Sequence, residues 1–381
     1  MKIKMGMIGG GDGAFIGAVH RMAAALDGTI EFVCGAFSSK PEKSITFGVK
    51  LGLSPNRVYS DYEEMILAEK AIPEHERMDF VSIVTPNHVH AAPAIFALQN
   101  GFHVICDKPL CYNLEEATAV KNAVEKSGCL FALTYNYTGY PMVKQAKAMI
   151  ANGDLGTIRK VVVEYAQGWL ATFLEGEKQK QASWRTDPGK SGIAGSLGDI
   201  GTHAENLAEY ITGLKIKRLC ADLNIVVAGR KLDDDSNILL KFDNGANGIL
   251  FASQVAAGEE NNLNIRIWGE KGGLEWSQQE PNTLIAKWLA APTQIYRTGT
   301  PHLYPQAATA SRIPAGHPEG YIEAFATIYK SFAAAITQYK NGTPIANIKT
   351  DFPTVDDGVR GMQFIYNAVA SSSKGSIWVD C

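Results

Sequence analysis

The chain predicts an α/β protein of two domains. Residues 1–134 read as a doubly wound parallel sheet, and residues 135–381 as an α+β domain on a large, mostly antiparallel open sheet. Three observations predict this. An apolar strand at the N-terminus breaks into glycines that open a helix, strands and helices alternate through the first third, and β-rich runs joined by hairpin turns fill most of the remainder. A length of 381 residues exceeds one ordinary core and fits two domains.

The first element is Lys2-Ile3-Lys4-Met5-Gly6-Met7-Ile8, which runs into Gly9-Gly10-Gly11-Asp12-Gly13-Ala14 and then helix-forming residues 15–25. An α/β domain grips a dinucleotide pyrophosphate in this way. The first glycine permits the tight turn, the next lets backbone approach phosphate, and a small third position lets the helix lie close to the strand. Read as G-x-G-x-x-A, the core is Gly9, Gly11 and Ala14, with Asp12, Gly13 and Phe15 completing the candidate turn.

A second strand follows at 31–37, a helix at 62–70, and a buried strand at 79–84 that ends at Thr85-Pro86-Asn87. A helix over 90–100 stops at Gly101. The strand 102–106 ends at Asp107-Lys108-Pro109, a helix over 114–127 stops at Gly128, and 130–134 closes the series. Such alternation builds a parallel sheet through right-handed crossovers, with ligands at the carboxyl ends of the strands. After about residue 135 the rhythm changes. One helix, 141–152, precedes β-rich runs at 158–167, 218–227, 237–242, 248–254, 262–268, 273–276 and 283–289. Asp243-Asn244-Gly245 and Lys271-Gly272-Gly273 supply hairpin chemistry. Helices at 319–339 and 355–371 are expected beside this second sheet, and 290–318 reads as a long loop, a lid or an inter-subunit arm.

Composition narrows the function classes. A net charge of −3 with 46% hydrophobic and 20% charged residues suits a globular protein and offers no basic stripe for nucleic acid. No apolar run reaches membrane-spanning length. Six cysteines without paired metal spacing predict reduced thiols and no metal site. The nucleotide strand starts almost at once, so no leader is expected and the cytoplasm is the predicted compartment.

Two constellations carry chemistry. Lys108 sits at the carboxyl end of a strand, where a nicotinamide would lie, and Pro109 holds it extended. A lysine there suits hydrogen bonding to a substrate hydroxyl and stabilising a developing alkoxide. The run from Ser191 through Gly198-Asp199-Ile200-Gly201-Thr202-His203 is a glycine-rich approach to a helix. Its spacing puts Asp199 and His203 on one face, with β-carbons about 5–6 Å apart. Histidine is suited to take a hydroxyl proton near neutral pH, and an aspartate one turn away can orient it or bind a neighbouring hydroxyl.

Together these elements resemble the Gfo/Idh/MocA family (glucose–fructose oxidoreductase/inositol dehydrogenase-like). The matching elements are the N-terminal glycine turn, Thr85-Pro86-Asn87 with His90, Asp107-Lys108-Pro109, and Gly198-Asp199-Ile200-Gly201-Thr202-His203, in the family's order. The resemblance implies an N-terminal Rossmann domain and an α/β domain whose open sheet mediates oligomerisation, as a homodimer or homotetramer. It implies that Lys108, Asp199 and His203 surround the reacting carbinol, and that Thr85, Pro86, Asn87, His90 and Asp107 help hold the cofactor. Family members often have Glu-Lys-Pro where Asp107 stands. At the end of the second strand, an acidic residue that would bind the ribose of NAD is replaced by Ala36-Phe37-Ser38-Ser39-Lys40-Pro41-Glu42-Lys43. Ser38, Ser39 and Lys43, or Lys40, suit a 2′-phosphate, so the cofactor is NAD or NADP with NADP favoured.

Further candidates for substrate binding are Trp184 and Arg185, an aromatic face and a forked donor suited to a sugar ring. Asn136 and Tyr137 open the second domain, and His317 and Tyr321 stand one turn apart if a helix begins near 319. His88 and His103 read as structural. The implied function is a dehydrogenase acting on a secondary alcohol of a cyclic polyol, sugar or glycoside. Two alternatives stand beside it: a glycosidase-type enzyme that uses transient oxidation with tightly bound cofactor, and a non-catalytic cofactor-sensing regulator.

Overall fold

Apolar β-rich segments of the first third form the parallel sheet that their spacing predicts. The computed structural model describes residues 2–177 and 179–381, which divide into two compact units. One comprises Met1–Asn136 with Tyr321–Val359, the other Tyr137–Gly320 with Arg360–Cys381.

Along the first unit run β1 (Ile3–Gly9), α1 (Phe15–Leu26), β2 (Ile30–Ala36), α2 (Pro41–Lys50), α3 (Tyr62–Ala71), β3 (Phe80–Val84), α4 (Ala91–Gln99), β4 (His103–Cys106), α5 (Leu114–Ser127) and β5 (Phe131–Leu133). Local chemistry sets their ends. Asp61 accepts the Glu64 N–H at 2.9 Å to cap α3, and Asn113 accepts the Glu116 N–H at 2.8 Å to cap α5. Gly128 stops α5 with φ of 61°. The strands pair in parallel in the order β2-β1-β3-β4-β5.

The second unit begins with α6 (Pro141–Ala151), β6 (Ile158–Ala166), α7 (Lys180–Arg185) and the short α8 (Pro188–Ser191). Next come a π-helical turn at Leu197–Gly201 and α9 (Thr202–Thr212). A run of strands follows: β7 (Ile216–Asn224), β8 (Asp235–Phe242), β9 (Asn247–Ser253), β10 (Asn262–Gly269), β11 (Gly272–Ser277), β12 (Thr283–Trp288) and β13 (Gln294–Arg297). After them come α10 (Pro305–Ala310), then α11 (Tyr321–Lys340), which belongs to the first unit, α12 (Val355–Ser373), whose first turn does too, and β14 (Val379–Asp380). Nine strands pair in the order β13-β12-β11-β10-β6-β9-β8-β7-β14. The pairings are antiparallel except β6 with β9, which is parallel. Helices α6 and α9 cover one face. The alternation of Ile238, Leu240 and Phe242 inward with Asn237, Leu239 and Lys241 outward leaves the other face open.

Three expectations are corrected. Helix α11 belongs to the first unit rather than beside the second sheet, because Phe325, Tyr329, Phe332 and Ile336 share one buried cluster with Met5, Met7 and Phe80. The domain division is therefore not a single cut near residue 134. The 290–318 segment is not structureless: β13 joins the sheet edge, and α10 packs on α6 through buried Ala307 and Ala310. Residues 41–43, to which the sequence pattern assigns no element, open helix α2. Among the described residues, no helix is long and apolar enough to cross a membrane.

Candidate active site

The order β2-β1-β3-β4-β5 reverses direction between β1 and β3, and such a switch point opens a crevice at the carboxyl ends of both strands. Gly9 ends β1 there, and a β-carbon on it would stand 2.8 Å from Thr85 Cγ2. Close approach of helix to strand is achieved by Gly10 and Gly17 rather than by Ala14, since a β-carbon on Gly17 would lie 2.4 Å from Gly10 Cα. At Gly11 a β-carbon would meet Phe37 O at 2.5 Å, whereas one at Gly13 would meet nothing within 4 Å. Ala14 precedes α1 in extended geometry and Phe15, its first residue, is 70% exposed. Asp12 is also exposed, with Lys50 Nζ 3.9 Å away.

Loops after β3 and β4 bring the remaining predicted cofactor residues to the same sheet edge. His90 ties these loops together: its Nδ1 lies 2.8 Å from Pro109 O and its Nε2 2.8 Å from Thr85 O. Burial lowers the His90 pKa, opposed by Asp107 and by the two carbonyls. Pro86 is exposed and Asn87 buried. Asp107 Oδ1 accepts the Lys108 N–H at 3.0 Å and the Thr134 hydroxyl at 2.7 Å, leaving the half-buried Lys108 on a loop held from beneath. The peptide bond from Lys108 to Pro109 is cis. Below it His20, unnoticed in the sequence, places Nε2 3.9 Å from Asp107 Oδ1. Ser38 and Ser39 follow the end of β2, and Lys43 is exposed in the first turn of α2.

In the second unit Asp199 and His203 do not share one regular α-helix. Asp199 lies in the π-helical turn, and His203 is the second residue of α9. π-Turns inside helices recur at functional sites. The glycine-rich approach is clamped by Asp233, whose carboxylate accepts the Gly195 and Leu197 N–H groups, each at 2.7 Å. Burial raises the Asp233 pKa to about 6. Asp199 Oδ2 accepts from Arg185 Nε at 3.2 Å and from Gln254 Nε2 at 2.9 Å. His203 is 6% exposed, with the Tyr137 ring edge-on at 4.8 Å and the Tyr165 ring at 6.2 Å. The Arg185 guanidinium stands 4.3 Å over the Trp184 ring and 5.9 Å from that of Trp169.

Not every substrate candidate is gathered. His317 is exposed and its Nδ1 lies 3.1 Å from Pro314 O. The helix begins at Tyr321 rather than near 319, so the two are not one helical turn apart. The cause is Glu319, whose N–H donates to Asn282 Oδ1 and whose Oε1 accepts the Arg312 and Ile313 N–H groups. Tyr321 is half-buried, edge-on to Phe325. Asn136 is 1% exposed and its Nδ2 has no hydrogen-bond partner among the described residues. Sequence reasoning missed Gln254, Gln167, Asn261 and Trp169. Gln167 and Gln254 directly follow the parallel pair β6 and β9, and that placement was the available signal.

The chain matches the profile of the oxidoreductase family, NAD-binding Rossmann fold, over residues 3–135, and that of the GFO/IDH/MocA C-terminal domain over residues 143–275. It is 37% identical to the uncharacterized oxidoreductase YfiI of Bacillus subtilis, across 99% of this chain and 96% of that one. It is 27% identical to levoglucosan dehydrogenase of Pseudarthrobacter phenanthrenivorans, across 99% and 98% of the two chains. An inositol dehydrogenase homolog from Azotobacter vinelandii superposes with a TM-score of 0.93 at 37% identity as its complex with NAD+, and 0.91 at 36% as its complex with NADH and myo-inositol. In both cases 100% of this chain and 98% of that one are covered. These two profiles and the full-length similarity establish that the protein belongs to the Gfo/Idh/MocA family of oxidoreductases, with an NAD-binding Rossmann fold.

Proposed function

We propose that the protein is an NAD(P)-dependent dehydrogenase acting on a secondary alcohol of a cyclic polyol, sugar or glycoside. The observation that carries this reading is the buried imidazole of His203 four residues after a carboxylate, Asp199, held by Arg185 and Gln254. The named activity of the levoglucosan dehydrogenase relative and the myo-inositol bound to the Azotobacter homolog support the substrate class. The first unit fits a dinucleotide: Gly9 and Gly11 leave no room for side chains, Gly13 faces open space, and the buried amide nitrogen of Asn136 has no hydrogen-bond partner among the described residues.

His203 takes the hydroxyl proton as the C–H bond breaks. Lys108 hydrogen-bonds the same oxygen and stabilises its alkoxide character. Asp199 accepts from an adjacent hydroxyl or orients the imidazole. The dinucleotide, when bound, supplies the hydride acceptor, so alcohol and NAD(P)+ give ketone, NAD(P)H and a proton. Ser38, Ser39 and Lys43 favour NADP, because no carboxylate follows β2 before Glu42.

A screen of inositols, aldoses and glycosides with each cofactor, read by absorbance of the reduced nicotinamide, tests this. Turnover that disappears in His203→Ala and Lys108→Ala is expected, and unchanged turnover in both variants overturns the reading. Glycoside cleavage without added cofactor, by protein purified with dinucleotide bound, would favour the transient-oxidation alternative. A dinucleotide-dependent change in another binding activity, unaffected by both variants, would favour the regulator.

The open sheet face supports a homodimer or homotetramer. Register places Leu239, Ile249 and Val162 side by side across β8, β9 and β6, with Leu239 49% and Ile249 38% exposed. Four buried free cysteines suit a reducing compartment such as the cytoplasm.

A further inference from the structure

A line of side chains runs from Asp199 through amides to the aromatic wall at His203. Gln254 Nε2 donates to Asp199 Oδ2 at 2.9 Å and to Gln167 Oε1 at 3.3 Å. Gln167 Nε2 donates to Asn261 Oδ1 at 2.7 Å, and Asn261 Nδ2 donates to the Tyr137 hydroxyl at 3.1 Å. Tyr165 donates to the same Asn261 Oδ1 at 2.7 Å. Tyr137 is the ring packed edge-on against His203.

The direction of this line is forced from one point. Trp169 Nε1 lies 3.0 Å from the Gln167 carboxamide oxygen, and an indole N–H can only donate. That makes the Gln167 oxygen an acceptor and turns its nitrogen toward Asn261, which in turn directs the Asn261 nitrogen to Tyr137. Gln254 must then offer nitrogen to Gln167, and the same nitrogen reaches Asp199. A flipped Gln254 would set its oxygen against two acceptors. Its backbone is pinned as well, with N–H donating to Asp234 O at 2.9 Å and its carbonyl accepting from Leu170 at 3.1 Å. Gln254 is 2% exposed, so its amide has no solvent to turn to.

We propose that Gln254 is a positioning residue for Asp199, and that Trp169, through Gln167, sets the polarity that makes Asp199 Oδ2 an obligate acceptor. The carboxylate is then held as an acceptor facing Gln254 and Arg185, and the proton-transfer role falls to the imidazole. This rests on the dehydrogenase reading given above.

The test compares Gln254→Glu, Gln254→Leu and Trp169→Phe with the unmodified protein. Using the best substrate of the screen, Gln254→Leu is expected to raise KM and to lower kcat/KM about a hundredfold, the scale of a small misplacement of a catalytic group. Gln254→Glu, which sets carboxylate against carboxylate, should lose more at pH 8, and its activity relative to the unmodified protein at the same pH should rise as the pH is lowered toward 5. Trp169→Phe should weaken kcat/KM about tenfold and be non-additive with Gln254→Leu. Dinucleotide affinity, read by nicotinamide fluorescence, should not move in any of them. Gln254→Glu and Gln254→Leu with unmodified KM and pH profile would overturn the proposal while leaving the dehydrogenase reading intact. If the screen finds no turnover, that reading fails separately. Crystal structures of Gln254→Glu at pH 8 and of Gln254→Leu then decide the proposal: a displaced Asp199 carboxylate in both supports it, and an unmoved one in both overturns it.

Discussion

Arg185 and Asp199 form a half-buried ion pair with Nε 3.2 Å from Oδ2, while the guanidinium carbon stands 4.3 Å over the Trp184 ring. The planar cation thus serves two neighbours at once in a fixed fork geometry that a flexible ammonium does not reproduce. We expect Arg185→Lys to keep the charge but lose the stack and the fixed angle of the donor. Because the pair is partly solvated, the effect on stability should be small, within about 1 kcal/mol. The effect on turnover should be larger, with kcat/KM down about tenfold and most of it in KM. Steady-state kinetics beside a urea titration separate the two. Equal losses of stability and activity would assign Arg185 to folding alone.

Much of this was legible from the chain because its signals are local. A strand breaking into Gly9-Gly10-Gly11, or Asn113 and Gly128 bracketing α5, announces itself within a few residues. The helix at 319–339 was equally legible as a helix, but a helical pattern states only that a face is buried, not against what. Phe325 and Tyr329 look the same whether they meet the first sheet or the second. The support for Asp199 was hidden for a related reason. Gln254 and Gln167 lie 87 positions apart and become neighbours only when β6 and β9 pair in parallel. The π-turn that carries Asp199 leaves no compositional mark beyond the glycines already read as an approach.

Cofactor choice should yield to a single residue. Ser38 stands just beyond β2, half-exposed, with its hydroxyl accepting the Lys40 N–H at 3.1 Å. A carboxylate there would accept from ribose hydroxyls and repel a 2′-phosphate. Ser38→Asp is expected to move the ratio of kcat/KM for NADP over NAD downward by at least about tenfold, worth roughly 1.4 kcal/mol. An unchanged ratio would place the ribose pocket away from β2.

Assembly should depend on the open sheet face. Leu239 pairs with Ile249, which pairs with Val162, so three apolar side chains line one row across adjacent strands. Leu239→Lys with Ile249→Lys puts two charges on that row while leaving the inward Ile238 and Leu250 untouched. Light scattering should report a smaller species than the unmodified protein, with near-native circular dichroism. A species of unchanged mass would show that this face is not the interface.

Stability should fall with acid through two buried histidines of the first unit. His20 donates or accepts at Nδ1 with the Tyr329 hydroxyl at 2.7 Å, and that hydroxyl meets Ser82 Oγ at 2.7 Å. His103 Nδ1 accepts the Leu130 N–H at 2.9 Å, with the Tyr339 ring edge-on. Burial lowers both pKa values to about 4, against the opposing pull of Asp107 on His20 and of Asp79 on His103. In the unfolded chain each titrates near 6.5. Between those values the unfolded chain binds a proton that the folded protein refuses, so stability is full above pH 6.5 and is lost as pH falls toward 4. The loss amounts to about 2 kcal/mol per histidine by pH 5. Urea midpoints measured from pH 7.5 to 5 should therefore decline. His20→Gln, which replaces the ring with an amide that does not titrate, should remove about 2 kcal/mol of that decline even if it lowers the midpoint throughout. A slope unaltered by His20→Gln would mean that other groups carry the acid sensitivity.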